Sequence, residues 1–123
     1  LQEPCEALIE ALGDIGLSSS KTLAVIRPFV DHPRPLIRAA ACRALLQLTG
    51  ESRWGVQLIE LLKHPEALVR RGALLDLGAT GWTEAGPAIS EAAVEPSLKL
   101  VALRGLAEHS EDPRILEAMD DLI

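Results

Sequence analysis

Aromatic residues are nearly missing from this 123-residue chain, which has no tyrosine, one phenylalanine (Phe29) and two tryptophans (Trp54 and Trp82). Its core must therefore be built from Leu, Ala, Val and Ile. Positive charge is also scarce: 12 Lys and Arg stand against 18 Asp and Glu, a formal net charge of -6. That balance excludes a surface made for nucleic acid, whose phosphates require a basic face, and nothing resembles a polybasic membrane anchor. No apolar run approaches the roughly 18 residues of a membrane span, and Leu1 to Glu10 lacks the basic start of a signal peptide. The expectation is a soluble, cytoplasmic protein. Two cysteines, Cys5 and Cys42, make neither a disulfide framework nor a metal-ligand spacing and read as buried thiols. HExxH, P-loop, GxGxxG and GxSxG patterns are absent, so any chemistry has to come from a ligand or a partner chain.

What is present is repetition. The segment starting at His32, HPRPLIRAAACRALLQLTG, and the one starting at His64, HPEALVRRGALLDLGATG, share one grammar. A His-Pro leads into a β-branched residue and an arginine (Ile37-Arg38, Val69-Arg70), then a small residue (Ala41, Ala73), then a leucine (Leu45, Leu77). CEALIEALGDIG and LKLVALRGLAEH supply two further copies, and the leucines at one phase, Leu12, Leu45, Leu77 and Leu106, fall 33, 32 and 29 residues apart. Shorter helices with apolar residues three and four apart are expected between them, from Thr22, Trp54, Glu84 and Pro113. Each follows a capping or turn residue: Ser18 to Ser20, Gly50-Glu51-Ser52, Gly81, and Asp112 ahead of Pro113. Two helices per unit of about 30 residues predict an all-α solenoid of about three and a half short HEAT-like repeats, a single domain over 1–123 and a portion of a longer solenoid. Ala40, Ala41, Gly72, Ala73 and Ala102 are the small residues expected to let helix pairs approach. Pro28 should break or kink the short helix it sits in.

Against this grammar several residues stand out. Arg38, Arg70 and Lys99 share one phase in three successive units. They form either a basic ladder that holds ligand carboxylates or a structural ladder whose heads pair with carboxylates of neighbouring units. Asp76 lies on the inward face where its equivalents are Ala44 and Gly105. A buried carboxylate needs a partner, so Asp76 either closes a salt bridge with an arginine or points into a ligand site. Arg71 is a charge where the sibling units have Ala39 and Leu100. Trp54 and Trp82 sit at similar corners and read as packing plugs or as ring platforms on a partner or ligand face. His32 and His64 are turn residues, and His109 has no assigned role.

The phrases ALLQLTG, DLGATG and SLKLVALRGL, in that order and spacing, resemble the C-terminal part of the E subunit of E/F-type phycobilin lyases, HEAT-repeat proteins of cyanobacteria. The resemblance covers the whole chain, with Trp54 and Trp82 where the family pattern leads one to expect tyrosine. It implies a heterodimer with an F-type subunit that binds a linear tetrapyrrole, phycocyanobilin or a relative. The pair then joins the bilin by a thioether to a cysteine of a phycobiliprotein, phycocyanin α first among them. The bilin is the substrate, and neither a cofactor nor a metal is implied. The resemblance also implies bilin-binding roles: Arg70, Arg71 and Lys99 for the propionates, Asp76 as acceptor for pyrrole N–H groups, and Trp82 packed on a ring. Arg38 and Trp54 would belong to a partner or ligand face. Such a family chain is about twice as long, so the piece is expected to be inactive alone, with its first repeat covered by further repeats, the F subunit or a second copy. The alternative is a non-enzymatic HEAT adaptor for protein contacts in phycobilisome assembly or turnover.

Overall fold

The computed structural model describes residues 4–15, 20–108 and 112–123, which places Leu1, Ser18, Ser19 and His109 outside the described residues. Eight α-helices follow in order: α1 Pro4–Ile15, α2 Ser20–Ile26, α3 Pro35–Thr49, α4 Ser52–Leu61, α5 Ala67–Thr80, α6 Gly86–Glu91, α7 Pro96–Ala107 and α8 Pro113–Asp120. Neighbours α1, α3, α5 and α7 pack side by side as one layer. The intervening helices cover it: α2 and the 3-10 turn after it lie on α3, α4 straddles α3 and α5, and α6 and α8 lie on α7. This two-layer array is the α-solenoid that the repeat predicts, and the leucines of the common phase line its interior, Leu45, Leu77 and Leu106 being buried.

The repeated phrases have local physical causes. In both LTG and ATG the glycine ends the helix in the left-handed region, Gly50 at φ 71° and Gly81 at φ 72°, a conformation open to glycine without a Cβ clash. The preceding threonine completes each stop. Thr49 Oγ1 donates to the Leu45 carbonyl at 2.7 Å and Thr80 Oγ1 to the Leu77 carbonyl at 2.7 Å. Each also accepts the backbone N–H two residues on, from Glu51 and from Trp82. The His-Pro starts work in mirror fashion: His32 Nδ1 accepts the Arg34 N–H and His64 Nδ1 accepts the Glu66 N–H, both at 3.1 Å. At the last helix, the Asp112 side chain accepts the Arg114 N–H at 2.9 Å while Pro113 takes the first helical position, where its missing N–H is no loss.

Pro28 acts as expected. α2 stops at Ile26 and the chain tightens into a 3-10 turn over Arg27–Asp31, because residue 28 has no N–H to continue the α-helical ladder. The helix expected from Glu84 is shorter than its sequence pattern. A 3-10 turn over Thr83–Ala85 leads into six helical residues, and α6 ends at Glu91. Of the small residues named above, Ala40, Ala41, Ala73 and Ala102 are buried, and Ala102 shares a close backbone approach with two glycines that the sequence argument did not name. A methyl group at Gly105 would stand 2.5 Å from the Gly78 carbonyl oxygen, and one at Gly78 would stand 2.7 Å from Ala102 Cα. The backbones of α5 and α7 therefore meet at this glycine pair.

Candidate functional site

The basic ladder is real, but its partners are not the carboxylates expected of the structural reading. Arg38 Nη1 donates to the His32 and Pro33 carbonyls at 3.0 and 3.2 Å. Arg70 Nη1 repeats this on His64 and Pro65 at 2.8 Å each, and its Nε reaches the Ala93 carbonyl at 3.0 Å. Lys99 Nζ donates to the Ser90 carbonyl at 2.8 Å. The arginine heads tie the inter-helix loops to the layer, and Lys99 holds a carbonyl in the last turn of α6, satisfying groups left over at helix ends. Arg71 differs: exposed, it pairs with Glu95 at 2.8 and 3.0 Å. Substituting Arg70 by methionine is expected to lower stability by about 2 kcal/mol, three carbonyls losing a charged donor. Arg71→Gln is expected to leave the urea midpoint within measurement scatter, since exposed ion pairs contribute little. Equal losses in the two variants would overturn this division of roles.

Both tryptophan rings are packed against the helices around them. The Trp82 ring lies against Gly55 of α4, filling the space a Cβ there would need. Trp54 is buried at 5% exposure, with Arg53 stacked over its ring at 4.4 Å. It also lines a cavity of about 640 Å³ in the second layer beside Leu23, Pro28 and Arg27. Cys42 is buried, its thiol donates to Gln57 Oε1 at 3.4 Å, and burial pushes its pKa up to about 12. It is an inert thiol rather than a nucleophile.

Asp76 is the buried charged residue of the described chain, at 9% exposure. It meets Arg43 of α3 at 3.4 Å, and the same Arg43 nitrogen lies 3.6 Å from Glu10 of α1. Three successive helices of one layer are thus crossed by an acid, base, acid row. Neither contact has the 2.7–2.9 Å length of a strong charge-assisted hydrogen bond. Burial raises the Asp76 pKa to about 7, the Arg43 charge pulls the other way, and Glu10 and Glu6 add to the rise. Near neutrality Asp76 is therefore poised between carboxylic acid and carboxylate, a property more common at functional sites than in scaffolds. Gln47, one turn on from Arg43, has its side-chain oxygen buried with no hydrogen-bond partner among the described residues.

Beyond Asp76, on the far side of α5, a groove of about 340 Å³ runs between α5 and α7. Gly78, Ala102 and Gly105 lie along it, Leu75, Ala79 and Val101 bring apolar surface to it, and Arg104 and Glu108 add one charge of each sign. Leu75 and Val101 are large apolar side chains left exposed, 41% and 56%. Arg43 and Arg104 are residues that the sequence argument passed over, although a signal was available. Glu10, Arg43, Leu75 and Arg104 each stand two residues before a leucine of the common phase, Leu12, Leu45, Leu77 and Leu106. This column carries three charges where a packing position would be apolar.

The five residues singled out for a bilin do not converge on one point. Arg70, Arg71 and Lys99 sit near the starts of α5 and α7, Asp76 lies midway along α5, and Trp82 follows its end. From residue 70 to residue 82 the helical rise is roughly 18 Å, the scale of an extended ligand rather than of a compact centre.

Comparison with known proteins gives the arrangement a context. Residues 69–95 match the PBS lyase HEAT-like repeat. Along its whole length the chain is 63% identical to the bilin biosynthesis protein RpcE of Synechococcus sp. strain WH8020, of which it covers 46%. It is 45% identical to the phycocyanobilin lyase subunit alpha of Picosynechococcus sp. strain PCC 7002, of which it covers 49%. Among solved structures it is similar to a chain of the complex of CpcE and CpcF of phycocyanin lyase from Nostoc sp. PCC7120. There the TM-score is 0.91 and the identity 42%, over 98% of this chain and 47% of that one. The chain thus spans about half the length of the curated relatives it matches.

Proposed function

We propose that the chain, which is similar along its whole length to phycobilin lyase E, or alpha, subunits, serves as part of the surface that holds a linear tetrapyrrole for transfer to a phycobiliprotein cysteine. An F-type subunit completes the site, and the location is the cytoplasm. The observation that carries the reading is Asp76 together with Arg43 and Glu10. This row of charge crosses three helices, and its one buried member, Asp76, sits at a position where the sibling units have only Ala44 and Gly105.

The chemistry asks little of the protein beyond holding. The acceptor thiol adds across the exocyclic double bond of the bilin's first ring. Sulfur bonds to carbon and the proton passes to the conjugated system, so no electrons enter or leave. What must be supplied is orientation, with one face of the bilin open to the thiol, its carboxylates neutralised and its pyrrole N–H groups given an acceptor. Asp76 is that acceptor in this proposal, and the Arg43 charge keeps a share of it ionised. Arg71, whose partner Glu95 is exposed and exchangeable, is available to a propionate. Arg70 and Lys99, held by backbone carbonyls, shape the rim on which Arg71 stands.

The test is co-expression with an F-type subunit in cells that make phycocyanobilin and apo-phycocyanin α, scoring zinc-fluorescent adduct on a denaturing gel. To keep the result independent of length, a chimera in which this chain replaces its counterpart in the 63% identical relative is run beside it. Adduct that requires both subunits is the expected result. No adduct from the chimera, with the phycobiliprotein nevertheless bound in the absence of bilin, would replace this reading with that of an adaptor.

A further inference from the structure

We propose that Arg104 is the residue that anchors a carboxylate of the ligand, and that the groove between α5 and α7 takes the apolar body to which this carboxylate is attached. The inference rests on the bilin-holding reading above and makes it specific. Three observations lead to it.

The first is the state of the cations. Among the described residues the heads of Arg38 and Arg70 are held by loop carbonyls and that of Lys99 by the Ser90 carbonyl of α6. Arg43, Arg53, Arg71 and Arg114 are held by carboxylates. Arg104, like Lys21 and Arg27 of the first repeat, is exposed and makes neither an ion pair nor a side-chain hydrogen bond with any described residue, and it is the one of the three that lines the groove between α5 and α7. A carboxylate that binds it breaks no contact with a described residue. At Arg71 the same ligand would have to displace Glu95, and at Arg70 it would have to release two loops.

The second is shape. Gly78, Ala102 and Gly105 present no large side chain to the groove, and Leu75 and Val101 leave exposed apolar surface beside them. Backbone and small side chains form the floor of the groove and branched apolar ones stand beside it, a surface on which a flat conjugated ring can lie, and burial of Leu75 and Val101 supplies the driving force. The third is arrangement on α5. Asp76 faces α3 and Arg43, Gly78 faces α7, and exposed Leu75 and Ala79 lie on the same helix. A ligand lying across α5 thus meets an acceptor on one side and a guanidinium on the other. Glu108, one turn after Arg104 on the same groove, repels a carboxylate placed near it. It is an acceptor for an N–H donor, which confines the carboxylate to the Arg104 end. A ligand carrying both acids and N–H groups on an apolar π-system has the matching chemistry.

The experiment compares phycocyanobilin with its dimethyl ester, in which both carboxylates are blocked, by visible-absorption titration of the complex with the F-type subunit. The proteins are the wild type, Arg104→Gln and Arg104→Lys. The wild type is expected to bind the diacid at least about 10-fold more tightly than the ester. Arg104→Gln should weaken diacid binding about 10-fold and leave ester binding unchanged, and Arg104→Lys should retain part of the preference. Position 104 is exposed, so all three proteins should melt alike. A diacid preference that survives intact in Arg104→Gln overturns the assignment and leaves the bilin-holding reading in place. Binding of neither form by the wild type overturns both.

Discussion

Replacing Asp76 by asparagine is expected to make the protein more stable at pH 8 and to change little at pH 4. The native carboxyl has its pKa raised from 3.8 to about 7, burial outweighing the Arg43 charge. A group whose folded pKa is raised binds its proton more tightly in the native state than in the unfolded one. Its contribution is fully present below the unfolded value and is lost as pH rises through the folded value. The loss therefore runs from about pH 4 to about pH 7, at about 1.4 kcal/mol per unit, or roughly 4 kcal/mol over the whole window. Asparagine has nearly the same shape, carries no proton to lose, and leaves Arg43 its contact with Glu10 at 3.6 Å. The melting temperatures of variant and wild type, followed from pH 4 to pH 8, should separate progressively in favour of the variant. Parallel curves would show that the native carboxyl is ionised throughout and that the row is an ordinary salt bridge. A stabilising substitution at a native residue has a further meaning. Proteins keep locally unfavourable groups where function uses them, so the same variant should bind bilin more weakly while melting higher. Unchanged bilin affinity and transfer would remove Asp76 from the site.

Why the row escaped a sequence reading that found the fold is a matter of register. The repeat set the phase of each helix because buried leucines recur with it, and from that phase the pairing of α1, α3, α5 and α7 follows. Contacts across the layer need not join equivalent positions. Glu10, Arg43 and Asp76 are spaced by 33 residues and then by another 33. The unit that carries Leu45 to Leu77 is 32 long, so aligning like with like placed Ala44, not Arg43, opposite Asp76. The ladder of Arg38, Arg70 and Lys99 shows the complementary difficulty. Phase located the three heads correctly, but a cation's partner depends on which carbonyls the neighbouring turns leave unused, and that is fixed by loop geometry. His32 and His64 were legible as turn residues because their role is local. Trp82 was not legible as the cover of Gly55, since nothing in either segment signals that the two meet.

The close backbone approach of α5 and α7 should be sensitive to a single methyl group. Gly105→Ala places a Cβ 2.5 Å from the Gly78 carbonyl oxygen, and Gly78→Ala places one 2.7 Å from Ala102 Cα. In both cases the obstacle is backbone, which cannot rotate aside as a side chain can, so α5 and α7 must move apart. Overpacking of this kind costs about 1–3 kcal/mol or more, against a gain of about 1 kcal/mol in helix propensity when alanine replaces glycine. A net loss of about 2 kcal/mol is expected from each substitution in urea denaturation. Gly50→Ala provides a contrast, since nothing lies within 4 Å of it and only its φ of 71° opposes a side chain. Its cost should be about 1 kcal/mol, from the backbone conformation alone. The decisive observation is the double variant. If one close approach causes both losses, helices already separated by Gly105→Ala have room for the second methyl group. The pair should then cost at least about 1 kcal/mol less than the sum of the single losses. Strict additivity would mean that the two glycines relieve separate contacts and that the helices are not held at a shared limit. The same separation would widen the groove beside Leu75 and Val101. The double variant should therefore bind bilin more weakly than its stability loss explains, even though neither glycine has a side chain with which to touch a ligand.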